Sequence, residues 1–454
     1  MENNKYSLST TMGMIIGIVI GSGIFFKSDN ILISTNGSII IGVIIFCLAA
    51  ISIIFGSLSI AELASRNDNS GGIIAYAEQY CGKSIACAFG WFQFFLYYPT
   101  LIAIVGYVSG VYLCILFNIK STLLLEILIG SLFIIFLFIT NIVSKQLGGY
   151  IQNVSTIIKL IPLIFIAIAG LAFGNPSYID VGSYKSFSSF SLLTAIAPVA
   201  FSFDGWIIAT SISHEIDNPK KNLPKALIFC PIIILLSYIT YFVGISIYLG
   251  PEKIMSLGDA HVAYAATKLL GHFAAKIVLI FVIISILGTL NGLIIGIIRL
   301  PQALSERGMF PKSEVFVKLN DKYGISISSA VIGLLVSLGW LFIHYITQRF
   351  DLLANSDVSE ISITFNYVAY IILYIQVIKL AKAKQIDSIV KGYINPILAI
   401  LGSIMILLGC IGNTLFIYYF IGCLGLILCA FRFWNKSNYD EPLTMDDECF
   451  SMDD

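Results

Sequence analysis

Residues Met12 to Phe26 read MGMIIGIVIGSGIFF, apolar enough to enter hydrocarbon yet carrying Gly21, Ser22 and Gly23 at the centre. Glycine weakens a helix by roughly 1 kcal/mol relative to alanine, so a helix built to span a membrane is interrupted halfway across. In a bilayer, irregular backbone survives only where protein encloses a cavity, because each unsatisfied N–H or C=O costs several kcal/mol. The interruption therefore marks a candidate site. A helix resuming at Ile24 presents the first-turn N–H groups and the positive end of its dipole, a seat suited to a carboxylate.

The rest of the chain fits that reading. It has 454 residues, 58% hydrophobic and only 11% charged, with a mean hydropathy of +0.92, far from soluble globular composition. Twelve apolar segments approach the ~20 residues of a spanning helix: 12–34, 38–62, 84–117, 122–143, 151–173, 190–213, 225–249, 274–298, 325–346, 358–378, 393–412 and 414–434. The expected fold is an all-α integral membrane protein of twelve transmembrane helices, with the lipid bilayer as its surroundings.

Zero net charge and the lack of a basic run exclude a nucleic-acid partner. Most Lys and Arg fall on the side of the N-terminus, above all in Lys220–Lys225, Arg299–Lys322 and Lys379–Lys391. Both termini are therefore expected in the cytoplasm of a cell-membrane protein. The first segment lacks a basic n-region and a cleavage site, so no removable signal is expected there. The four histidines share no metal-ligand spacing, and no metal or cofactor is expected. Most of the nine cysteines fall inside segments as small packing residues.

A second interruption lies in segment 6, where Phe201-Ser202-Phe203-Asp204-Gly205-Trp206 brings an acid and a glycine to mid-span. Five segments precede it and it opens a second group of five, so the second unit is inserted upside down. Paired interrupted helices at the start of inverted units point to a carrier with its site at the midplane. The expected organisation is a cytoplasmic N-terminus over 1–11, a first five-helix repeat over 12–173 and an inverted repeat over 190–380. Two further helices over 393–434 and an acidic disordered tail over 435–454 complete it.

The runs GIVIGSGIF (Gly17–Phe25), FSFDGW followed by HEIDNPKKNLPKAL (Phe201–Leu227), and LGTLNG with ERGMFP (Leu287–Pro311) resemble the amino acid/polyamine/organocation superfamily. The nearest branch is that of L-type-like and bacterial serine/threonine exchangers, and the resemblance runs from about Ser9 to about Leu380. It implies that Val19, Ser22, Gly23 and Ile24 hold the backbone of an amino acid. The carbonyls of Phe201, Ser202 and Asp204 would take its ammonium, with Phe201 as a thin gate. It also implies that Lys159 replaces the second sodium ion of sodium-coupled relatives, tying segment 5 to segment 1.

Each residue also has a plainer structural reading. Gly and Ser in segment 1 also suit close helix packing. Asp204 costs ~2.5 kcal/mol or more at mid-membrane and could cap the resumed helix, carry a proton or hold a substrate cation. Lys159, in VSTIIKLIP, could instead snorkel to the inner surface. The arginine/agmatine branch has an acid where this chain has Ile207, which speaks against acid-resistance antiport. The expected activity is sodium-independent transport of neutral amino acids by alternating access, as exchanger or proton-coupled permease. Transport of cationic amino acids or polyamines is the alternative. Nothing suggests a channel pore or an enzyme's catalytic cluster.

Overall fold

A computed structural model describes residues 7–67, 71–179, 196–207, 210, 216–320, 323–353, 356–409 and 416–439. Among these, every regular element is helical, and eleven helices are long and apolar enough to cross a membrane. The sixth expected segment contributes Ile196–Phe203. Its outer parts, with Glu215, lie outside the described residues, as does the tail beyond Tyr439.

In chain order the helices are α1 (Leu8–Val19), α2 (Ser22–Phe26), α3 (Ser28–Ser34), α4 (Ile39–Ala64), α5 (Ile73–Cys81) and α6 (Lys83–Phe92). Next come α7 (Tyr98–Phe117), α8 (Leu123–Val143), α9 (Lys145–Phe173), α10 (Ile196–Phe203), α11 (Pro219–Leu249) and α12 (Pro251–Leu257). The last are α13 (His261–Ser305), α14 (Ser313–Val317), α15 (Ile327–Arg349), α16 (Val358–Lys382), α17 (Asn395–Gly409) and α18 (Phe416–Tyr439). Most lie within a few residues of the expected segments. The first and last run further: α1 begins at Leu8, where the Ser7 side chain caps Thr10 N–H, and α18 continues to Tyr439. α13 joins a surface helix to a span across Gly271, whose φ of +77° suits a residue without a side chain.

The first break differs from expectation in detail. Helix α1 ends at Val19, Gly21 precedes the next helix, and α2 already begins at Ser22, not at Ile24. A side chain on Gly21 would run into the Thr289 hydroxyl. Gly23 lies inside α2, where its bareness leaves space for the site and does not break the helix.

Packing follows the repeat logic. α1 packs on α9 as α10 packs on α16, and α7 on α8 as α13 on α15. Across the halves, α4 meets α11, α7 meets α13 and α8 meets α15, each helix touching the one five spans later. Small residues permit the closest approaches: a Cβ on Gly130 would sit 2.5 Å from the Gly106 carbonyl oxygen between α8 and α7, and one on Gly244 2.7 Å from the Ala167 oxygen between α11 and α9.

Before Pro99 the chain makes a π-helical turn, Gln93–Tyr97, joining α6 to α7. Pro99 has no N–H for the Phe95 carbonyl one turn back. Trp340 Nε1, from α15, donates to that carbonyl at 2.8 Å. A neighbouring helix thus satisfies the group the proline leaves open. The same turn aims Gln93 at α16, where Gln93 Nε2 donates to Asn366 Oδ1 at 2.8 Å and Asn366 Nδ2 to Tyr370 Oη at 2.7 Å.

Two substitutions test this packing. Trp340→Phe leaves the half-buried Phe95 carbonyl without its donor and is expected to cost about 1 kcal/mol, read as a lower melting temperature in detergent. Gly244→Leu is expected to prevent α9 and α11 from meeting and to yield no monodisperse protein. A well-folded Gly244→Leu variant would show that the two backbones need not approach so closely.

Candidate substrate-binding site

The two interruptions converge. A pocket is lined by Ile18, Val19, Gly21 and Gly23 from the first break, and by Asp204 and Gly205 from the second. Leu101 and Val105 of α7 with Thr289 and Leu293 of α13 close the remaining walls. The backbone ends therefore face a cavity that is otherwise almost wholly apolar.

At the second break, α10 stops at Phe203 and Gly205 takes a φ of +95°, a left-handed conformation that favours glycine. The Asp204 carboxylate accepts a hydrogen bond from Tyr97 Oη at 2.6 Å. The acid is thus held by the π-turn that joins α6 to α7. The carboxylate also borders the pocket.

Tyr238, on α11, joins the two breaks. Its hydroxyl lies 2.9 Å from the Val19 carbonyl oxygen and 2.7 Å from that of Ser202. One hydroxyl proton serves two acceptors, so the pair of carbonyls retains capacity for a further donor. These carbonyls are among the groups expected to take a substrate ammonium.

Lys159 is fully buried. Its Nζ donates to the Gly17 carbonyl oxygen of α1 and approaches Thr289 Oγ1 at 3.4 Å. It lies behind the pocket rather than in its lining, joining α9, α1 and α13, and it does not snorkel. Thr289 belongs to the LGTLNG run, and Asn291 of the same run is a second tie. Asn141 Nδ2 of α8 donates to Asn291 Oδ1 at 2.8 Å, and Asn291 Nδ2 donates to the Gly148 carbonyl at 2.9 Å.

Among the expected site residues, Val19, Gly23 and Asp204 line the pocket and Ser202 offers its carbonyl at the second break. Ile24 is buried outside the lining. The side chains of Ser22 and Phe201 lie outside the described parts, so the gate expected at Phe201 is placed only by its backbone in α10. Sequence reasoning missed Tyr238, Thr289 and the apolar walls Leu101, Val105 and Leu293. It missed Tyr97 as well, the donor to the Asp204 carboxylate.

Eleven membrane-length helices among the described residues, with the breaks after α1 and α10 meeting at one pocket, define a multi-pass membrane protein. The chain belongs to the amino acid permease family, which matches residues 6–424. It is 31% identical to the serine/threonine exchanger SteT of Bacillus subtilis over 90% of this chain and 91% of that protein. The human b(0,+)-type amino acid transporter 1 is 29% identical over 63% of this chain and 60% of its own length. The human cystine/glutamate transporter is 26% identical over 68% and 62%. The protein is a permease and not an enzyme.

Lys159→Ala is expected to abolish transport while the protein still reaches the membrane, because α1 loses its tie to α9 and α13; an unchanged rate would remove Lys159 from the mechanism. Tyr238→Phe strips the donor from two buried carbonyls and is expected to destabilise the protein by about 1–3 kcal/mol. A melting temperature equal to the parent's would contradict that bond.

Proposed function

We propose that the protein is a sodium-independent carrier of neutral amino acids, working by alternating access in the cell membrane with both termini cytoplasmic. The observation that carries this reading is the meeting of both helix breaks at one small, largely apolar pocket. A zwitterion suits such a place, since each break offers donors and acceptors and no unpaired charge is buried. The first-turn N–H groups of Ser22, Gly23 and Ile24, which have no acceptor inside their own helix, receive the carboxylate. The carbonyls of Val19, Phe201, Ser202 and Asp204 receive the ammonium. Leu101, Val105, Leu293 and Thr289 surround the side chain, and Phe201 closes over it.

Lys159 supplies, with a fixed ammonium, the link between α1 and the rest of the bundle that a sodium ion supplies in sodium-coupled carriers. Burial of Lys159 against the Gly17 carbonyl supports this role. One-for-one exchange is the favoured mode, supported by the similarity to the Bacillus serine/threonine exchanger. Proton-coupled uptake through Asp204 is the second mode, supported by the position of that carboxylate at the pocket. A cationic amino acid or polyamine would also use Asp204, but Tyr97 already engages it.

The test is thermal stabilisation of the purified protein by the twenty amino acids, agmatine and polyamines, with and without sodium. A ligand of the folded state at a hundredfold excess over its Kd stabilises by roughly 2.7 kcal/mol. A narrow set of neutral amino acids, indifferent to sodium, is expected. Stabilisation by amines lacking a carboxylate would overturn the carboxylate seat. Gly23→Leu is expected to eliminate the response and Asp204→Asn to preserve it for neutral ligands. Loss of proton-driven accumulation in Asp204→Asn would assign that residue to coupling instead.

A further inference from the structure

Lys27 follows the GSGIFF run directly and marks the junction of α2 and α3. A lysine at the end of the first span would ordinarily reach for water, yet this one is 1% exposed. Its Nζ lies 2.8 Å from Asp357 Oδ2 and 2.5 Å from Glu360 Oε1, both at the start of α16 and about 5% exposed. Each carboxylate is aimed by its other oxygen. Asp357 Oδ1 caps its helix, accepting from the Ser359 N–H at 2.8 Å and the Ser359 hydroxyl at 2.5 Å. Glu360 Oε2 accepts from the Ser356 hydroxyl at 2.6 Å.

The opposite face is built differently. There Glu62 pairs with Arg66 at 2.8 Å and with Lys391 at 3.0 Å, and Glu78 pairs with Arg307 at 3.0 Å. Every one of these pairs has a side chain that reaches solvent, up to 60% exposed for Lys391. The face carrying the chain's N-terminus is laced by wet ion pairs, whereas the far face is closed by a dry one.

Lys27 lies four residues beyond Gly23, so at 1.5 Å per residue the cluster stands about 6 Å, roughly one helical turn, beyond the pocket. Parting α2 from α16 exposes one cation and two carboxylates that are now desolvated and paired. Such groups separate only when water reaches them. We infer that the Lys27–Asp357–Glu360 cluster is a latch that holds the site shut on the face opposite the N-terminus and must open once in each transport cycle. The inference rests on the alternating-access reading above. It adds the contact whose rupture admits solvent from that side.

The experiment uses the full chain with Val105→Cys as a reporter in the pocket and compares it with the chain lacking that cysteine. A membrane-impermeant thiol reagent is added to intact cells and, separately, to inside-out vesicles. Neutralising the latch with Lys27→Met, Asp357→Asn and Glu360→Gln is expected to raise the labelling rate roughly tenfold from the face that carries the latch, as the closed state loses its advantage. Labelling from the other face is expected to stay level or fall. Equal rates in parent and variant from both faces would overturn the latch. Should the triple variant not fold, Glu360→Gln alone keeps the Lys27–Asp357 pair and must still raise the rate severalfold from the latch face; an unchanged rate again overturns the inference. Protection of the reporter by amino acids is scored in parallel. If no amino acid protects it in either protein, the transport reading fails, while the difference in labelling rates judges the latch by itself.

Discussion

A backbone amide in hydrocarbon has no water to turn to, and its unmet hydrogen bond costs several kcal/mol. α1 stops at Val19 and α10 at Phe203, so the rest of the bundle must answer the groups they release. Tyr238 answers the Val19 and Ser202 carbonyls. Lys159 answers the Gly17 carbonyl. Both breaks border one pocket.

The polar residues around the pocket act as braces for this arrangement. The asparagine of the LGTLNG run locks α13 to α8 and to the start of α9. The π-turn before Pro99 delivers Tyr97 to Asp204 and Gln93 to Asn366, while Trp340 satisfies the carbonyl that the proline leaves open. Bare glycines at the helix contacts let the backbones approach closely enough for these short side chains to reach.

Much of this was legible in the chain itself, because hydrocarbon imposes simple rules. Long apolar runs declare spans, a glycine cluster inside one declares a break, and a lone Lys159 or Asp204 declares a buried polar contact. What was not legible depends on rotation about helix axes and on distant pairings. Tyr238 sits in an unremarkable apolar run, and only the approach of α11 to both breaks gives its hydroxyl a role. Lys27 read as one of several cations on an outer surface, since its partners lie more than 300 residues away. Within GSG, pattern alone could not tell that Gly21 forms the break and Gly23 the space beside it.

The central claim is that the two breaks together form a backbone seat for a zwitterion. A structure with a neutral amino acid bound tests it most directly. The account predicts the carboxylate on the N–H groups of Ser22 to Ile24 and the ammonium between the Val19 and Ser202 carbonyls, beside the Tyr238 hydroxyl. An amino acid bound with its ends reversed, or seated away from both breaks, would contradict it.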